Sequence, residues 1–213
     1  MLLAAERAAV VATCQRLVAD GLVVGTAGNV SVRAGELVAV TPSGLAYESL
    51  RPELVGVHRL DGSVVDGPLR PTSELPMHLA VYGAGAGVGA VVHTHPVAAT
   101  ALSCLVDEVP LVHYYTAMFG GPVRVAAYAT YGTAELADNA VAALAGRTGC
   151  LLSNHGAITL GDTLGQAYDR ARHLEWLCEV ALRVIGTGRP ATLLDPAEID
   201  RVTAKLASYG QQP

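Results

Sequence analysis

No apolar run in this chain reaches the ~18 residues that a membrane-spanning helix needs, so a transmembrane role is not expected. Basic residues are few, 14 Lys and Arg against 19 Asp and Glu, and they form no cluster. The net charge of -5 therefore predicts no nucleic-acid partner. Cysteine is scarce and scattered: Cys14, Cys104, Cys150 and Cys178 include no CxxC pair. They read as reduced, buried thiols in a reducing, cytoplasmic compartment. Linkers, repeats and low-complexity stretches are also missing, which predicts one domain over residues 1–213. The opening "MLLAAERAAVVATCQRL" is apolar, but Glu6, Arg7, Gln15 and Arg16 interrupt it at helical spacing and no convincing cleavage site follows. It reads as a first amphipathic helix and not as a secretory signal.

What is present is enough for a core. The chain has 213 residues, 51% of them hydrophobic and 15% charged, which argues against disorder. The helical pattern of residues 3–20 ends at Gly21, and "NVSVR", "ELVAV" and "VGAVVHT" read as strands. "LVGVHRLDGSVVDG" reads as a hairpin around Asp61-Gly62. "PTSELPMHLAVYGAG" reads as a helix capped by Thr72 or Ser73, with Glu74 and Pro76 in its first turn. "VPLVHYY" and "VRVAAYA" are predicted strands, "PVAATALSCL" and "TAELADNAVAALAG" helices, and "GCLLSNHGAITLG" a strand, a turn and another strand. A long amphipathic helix from Thr163 and a short one from Pro196 to Tyr209 close the chain. The pattern implies an α/β fold with a helix-covered sheet, antiparallel or mixed, because a two-residue DG turn joins antiparallel strands.

In "AVVHTHPVAAT" two histidines stand two residues apart in an apolar run. A strand places residues i and i+2 on one face, so His93 and His95 point the same way. Alone, that pair is equally an odd core filling. His155 in the turn "SNHGA" offers a third imidazole and Glu74 a carboxylate, and three neutral imidazoles suit zinc at ~2.0–2.1 Å with a fourth position free. The bland alternative for Glu74 is a helix-dipole partner. His78 lies one helical turn beyond Glu74 and competes for the site, but a core role behind it is the simpler reading. His58 and His173 stand among polar neighbours and are given only a surface or hydrogen-bonding role.

Three turns carry glycine and small polar residues: "GTAGN", "TPSG" and "PTSE". Free donors at turns and helix starts bind phosphate, although such residues make turns for their own reasons.

Taken together, "GTAGNVSVR", "TPSG", "SELPMHLAVY", "VVHTHPVAATALS", "HYYTAMFGG", "YATYGTAEL", "NHG" and the late "YG" at Tyr209-Gly210 resemble the class II aldolase/adducin family over nearly the whole chain. The resemblance implies a three-layer α/β/α domain with a mostly antiparallel central sheet, assembled as a homotetramer with sites at subunit interfaces. It implies that Glu74 is the catalytic carboxylate and a zinc ligand, with His93, His95 and His155 as the other ligands. Gly28, Asn29, Ser43, Gly44, Thr72 and Ser73 would hold a substrate phosphate. Tyr114, and Tyr209 near the C-terminus, would act in a neighbouring subunit's site. Thr72-Ser73 replaces a common serine pair, and Tyr131 and Leu206 stand where phenylalanines are usual on the aldehyde side of the pocket.

The resemblance implies reversible cleavage of a ketose 1-phosphate, L-fuculose 1-phosphate or similar, to dihydroxyacetone phosphate and a small aldehyde such as lactaldehyde. A bound divalent ion would stabilise negative charge on the ketone fragment. Glu74, with its pKa raised by burial and lowered by the cation, would move the proton at the reacting carbon, and Tyr114 would serve the aldehyde's hydroxyl. Rival members of the resemblance are a methylthioribulose-1-phosphate dehydratase, a pentulose-5-phosphate 4-epimerase, which typically has Asp at the Glu74 position, and a non-catalytic adducin-like module that has lost the metal ligands.

Overall fold

The computed structural model describes residues 1–85 and 87–206. Its centre is one sheet of eight described strands: β1 (Asn29–Ala34), β2 (Leu37–Val40), β3 (Gly56–Arg59), β4 (Val64–Asp66), β5 (Ala90–Thr94), β6 (Val125–Ala126), β7 (Gly149–Leu152) and β8 (Gly156–Gly161). They lie in the order β4-β3-β2-β1-β5-β8-β7-β6. Only the β6–β7 pair is parallel, so the expected mixed, mostly antiparallel sheet is what forms. The Asp61-Gly62 hairpin is present: Gly62 takes φ +88°, and Asp61 Oδ1 accepts from the Ser63 N–H at 2.8 Å.

Side-chain alternation along the strands builds two cores. Val91 of β5, Val38 and Val40 of β2, and Ile158 and Leu160 of β8 pack against α2 (Leu75–Ala84) and α4 (Ala134–Leu144). Val30 of β1, with Ala90 and Val92 of β5, faces the other way, onto α1 (Ala4–Ala19) and α5 (Leu164–Ile185). Leu151 and Ala157 continue that second face against α3 (Val97–Ser103) and α5. Each fully buried Leu or Val there stabilises the fold by roughly 1.5–3 kcal/mol, before the entropy of ordering it is subtracted. A last helix, α6 (Pro196–Leu206), packs near residues 114–119. No described helix is long and apolar enough to cross a membrane.

Several expectations need correction. "VPLVHYY" is not a strand. Residues Tyr114–Phe119 wind into a tight 3-10 helix, and the aromatic rings of His113 and Tyr115 pack on Trp176 of α5. Ring packing on α5, together with Pro110, which lacks a ladder donor, decides against pairing. "VRVAAYA" contributes only Val125–Ala126 to the sheet. His58 is buried and not at the surface, because β4 and its hairpin loop cover β3; its Nδ1 lies 3.3 Å from the Gly62 carbonyl. His173 is half-buried beside Tyr115.

The thiols also divide. Cys14, Cys150 and Cys178 are buried, and burial pushes each thiol well above its ordinary range, whereas Cys104 is exposed. Only a thiolate attacks a disulfide reagent at useful rates. A native chain should therefore release one equivalent of thionitrobenzoate from Ellman's reagent, and a guanidinium-unfolded chain four. More than one fast-reacting thiol in the native protein would contradict this burial.

Candidate metal and anion site

The site forms where β5 ends. His93 shares the face of Val91 and points toward the α2 side of the sheet. His95 follows the strand by one residue and keeps that parity. His155 comes from the turn between β7 and β8, and β8 pairs with β5 so that His93 lies opposite Ile158 and Thr94 opposite Ala157. The register thus carries the turn over the end of β5. Asn154 in this turn takes φ +54°, a left-handed conformation that asparagine tolerates better than most residues.

Glu74 arrives from the opposite layer. α2 begins at Leu75, so Glu74 is the residue before the helix and not part of its first turn, which holds Pro76. Its side chain does not cap the helix. Thr72 Oγ1 accepts the Glu74 N–H at 3.2 Å, which frees the carboxylate to face the histidines.

Four ligand atoms meet there. His93 Nε2 is 3.0 Å from Glu74 Oε2, His155 Nε2 is 3.4 Å from Oε1, and His93 Nε2 is 2.8 Å from His95 Nε2. All four lie within 4.8 Å of one another. Tetrahedral ligands at ~2.0–2.1 Å from an ion stand roughly 3.3 Å apart, so the cluster has the dimensions of a metal site. Two observations support that fit. The three rings meet edge-on with centroids 4.7 to 4.9 Å apart, and Glu74 Oε1 is buried without a hydrogen bond. His93 Nδ1 donates to the Ala157 carbonyl at 2.9 Å, which turns the Nε2 lone pair inward.

The electrostatics agree. Burial, reinforced by His93 nearby, pushes His95 down to about 3 and His155 down to about 4, so both are neutral near pH 7 and able to ligate. For Glu74, burial raises the pKa, but His93 beside it and the Asn29 hydrogen bond outweigh burial and hold the carboxyl well below its usual range. Of the opposing effects on Glu74, ionisation wins.

A cavity of about 370 Å³ opens over this cluster. Gly28, Asn29, Ser43, Gly44, Thr72 and Ser73 all line it, beside Glu74, His95 and His155. Among the described residues no lysine or arginine does, so an anion there would rely on amides, hydroxyls and the ion. The Ser43 N–H is tied to the Arg70 carbonyl and the Thr72 N–H to the Thr41 carbonyl, while the Ser43 and Ser73 hydroxyls have no partner among the described residues. Gly28 could not be another residue. Its φ is +81°, and a Cβ would stand 2.9 Å from the His93 carbonyl oxygen.

Tyr131 lines the same cavity, whereas Tyr114 and Leu206 line a different one with Tyr115, Met118 and His173. Tyr209 lies outside the described residues. Sequence reasoning missed four contributors. Tyr128 and Asn154 also line the cavity. Tyr47 donates to the Gly28 carbonyl at 2.8 Å and steadies that turn. Glu175 of α5 accepts from the Ala98 and Ala99 N–H groups at 2.8 and 2.7 Å, fixing the start of α3 just beyond His95. Asn before His-Gly in a strand–turn–strand was the one available signal; Tyr47 and Glu175 are distant in sequence from what they hold.

A buried carboxylate and three imidazoles beneath a cavity lined by small polar turns, on an α/β fold, define a candidate metal site. The chain belongs to the class II aldolase and adducin N-terminal domain family, which it matches over residues 8–182. It is 39% identical over 214 residues to a 5-deoxy-D-ribulose 1-phosphate aldolase of Bacillus thuringiensis, covering 100% of both chains. It is 44% identical over 191 residues to a 5-methylthioribulose-1-phosphate/5-deoxyribulose-1-phosphate aldolase of Rhodospirillum rubrum, covering 89% of this chain and 86% of that one. An Escherichia coli L-fuculose phosphate aldolase is 37% identical over 202 residues, 94% of each chain. A solved L-fuculose 1-phosphate aldolase superposes with a TM-score of 0.93 at 33% identity, over 97% of this chain and 98% of that one. Such homologues are class II aldolases, lyases that act on sugar phosphates.

Proposed function

We propose that this protein is a zinc-dependent aldolase that cleaves a ketose 1-phosphate reversibly to dihydroxyacetone phosphate and a small aldehyde. The observation that carries the reading is the placement of Glu74 in a cavity lined also by His95, His155 and three small polar turns, with the buried His93 completing the ligand cluster. The relatives point to a 5-deoxypentulose 1-phosphate ahead of L-fuculose 1-phosphate, with acetaldehyde rather than lactaldehyde as the second product. His93, His95, His155 and Glu74 would hold the ion, whose Lewis acidity lowers the cost of negative charge on the ketone fragment.

The chain's own groups do the rest. Gly28, Ser43, Gly44, Thr72 and Ser73, with Asn29 beside them, anchor the phosphate at the turns and so fix the distance from phosphate to reacting carbon. Glu74 delivers a proton to that carbon on cleavage and removes it on condensation. Tyr131 bounds the aldehyde side, and Leu206, Tyr114 and Tyr209 complete it from a neighbouring subunit of a cytoplasmic homotetramer. Residues 1–213 act as one domain.

Purified protein should release dihydroxyacetone phosphate from 5-deoxyribulose 1-phosphate, read as NADH consumption through coupled glycerol-phosphate dehydrogenase. L-fuculose 1-phosphate and methylthioribulose 1-phosphate complete the panel. A dehydrated product without dihydroxyacetone phosphate would favour the dehydratase reading, and no triose phosphate from any of the three would overturn the aldolase.

A further inference from the structure

Two periodicities mesh behind Glu74. On β1, Val30 faces the α1–α5 core, so Asn29 and Ser31 face α2. On α2, His78 and Tyr82 follow Glu74 at intervals of four and meet the sheet. Two strand residues advance ~6.8 Å and four helical residues ~6 Å, so the side chains interleave in single file. Tyr82 Oη lies 2.7 Å from Ser31 Oγ, Ser31 Oγ 2.7 Å from His78 Nδ1, His78 Nε2 2.5 Å from Asn29 Oδ1, and Asn29 Nδ2 2.8 Å from Glu74 Oε2. All five residues are buried.

The direction of every bond follows from its end. An ionised carboxylate only accepts, so Asn29 presents its nitrogen to Glu74 and its oxygen to His78. His78 Nε2 must then carry a proton. With a neutral ring, Nδ1 accepts from the Ser31 hydroxyl, and Ser31 in turn accepts from Tyr82. One proton arrangement satisfies the whole file, with each donor aimed toward Glu74.

We propose that His78 is a positioning residue for Glu74, holding the Asn29 amide with its nitrogen toward the carboxylate, while Ser31 and Tyr82 hold His78 in the tautomer that does so. An amide released from His78 can turn over and set its oxygen against Oε2, which repels the carboxylate. The file therefore pins Oε2 and leaves Oε1 as the oxygen facing His155. This deepens the aldolase reading and rests on it.

The test compares His78→Leu, His78→Gln and Tyr82→Phe with the native chain. His78→Leu should lower kcat by about 10- to 100-fold while KM stays within about 3-fold and metal content is unchanged. His78→Gln, whose amide N–H can reach Asn29 Oδ1, should recover most of the loss, and Tyr82→Phe should cost less than His78→Leu. Unchanged kcat in His78→Leu, a Gln variant as damaged as the Leu variant, or losses that track Tm instead of position in the file would each overturn the proposal. Nitrogen NMR of the native protein decides independently of folding variants and of turnover. His78 should be neutral and protonated at Nε2 near pH ~7, and a ring protonated at Nδ1 would refute the arrangement. If the native enzyme cleaves no ketose phosphate, the functional reading fails while this spectrum still judges the file.

Discussion

Glu74→Gln should reduce turnover by about 10³-fold while leaving the fold and its metal in place. The reasoning starts from shape. Gln is nearly isosteric with Glu, so its oxygen can still accept from Asn29 Nδ2 and its nitrogen can still approach the His155 imidazole that Oε1 faces. Little packing is lost, and Tm should move by no more than a few degrees. Three imidazoles remain, which is the protein ligand set of many catalytic zinc sites. What disappears is proton transfer, because an amide neither gives up nor takes a proton in this pH range. The loss should therefore fall on kcat, with KM close to native, since the proposed phosphate donors at Gly28, Ser43 and Ser73 are untouched. Metal analysis and steady-state kinetics on the same preparation decide the matter. Native turnover with native metal would remove Glu74 from the chemistry. Loss of the metal together with activity would reduce it to a ligand.

Much of this site was readable because its pieces obey short-range rules. Alternation along β5 predicted that His93 and His95 face one way, and a strand–turn–strand pattern placed His155 at a loop tip. That the two meet depends on β8 lying beside β5, although more than 50 residues intervene, and pattern reasoning has no access to that pairing. The start of α2 lies one or two positions later than expected because Thr72, Ser73 and Glu74 can all precede a helix; the Thr72 hydroxyl accepts the Glu74 N–H. "VPLVHYY" has strand-like composition, yet its rings found better partners on α5 than a ladder could offer. His58 and Cys104 were misjudged for opposite reasons. A hairpin covers His58 in polar sequence, and no layer covers Cys104 in apolar sequence. His78 was read as a core histidine behind the site. It is one, and its two bonds show why a histidine and not a leucine fills that space.

The proposed metal ligands admit a sharper test. In His93→Gln with His95→Ala, metal content should fall from about one ion per chain to less than about a tenth after desalting, since two of the four ligands are gone. The choice of residues matters. His93 is fully buried, and its Nδ1 holds the Ala157 carbonyl, so Ala there would strand a buried acceptor and confuse unfolding with metal loss. Gln fills most of the space and binds a divalent ion far less well than imidazole. His95 stands just past the end of β5 and is half-buried, so truncation to Ala leaves the ladder intact. The far-UV circular dichroism should stay native, while Tm should no longer rise when zinc is added, because binding to the folded state is what raises it. Stoichiometric metal in the double variant would refute these ligands and return His-x-His to the status of core filling. Metal loss with a native spectrum would tie the ion to this strand end, where Glu74 and the cavity lined by the three turns stand together.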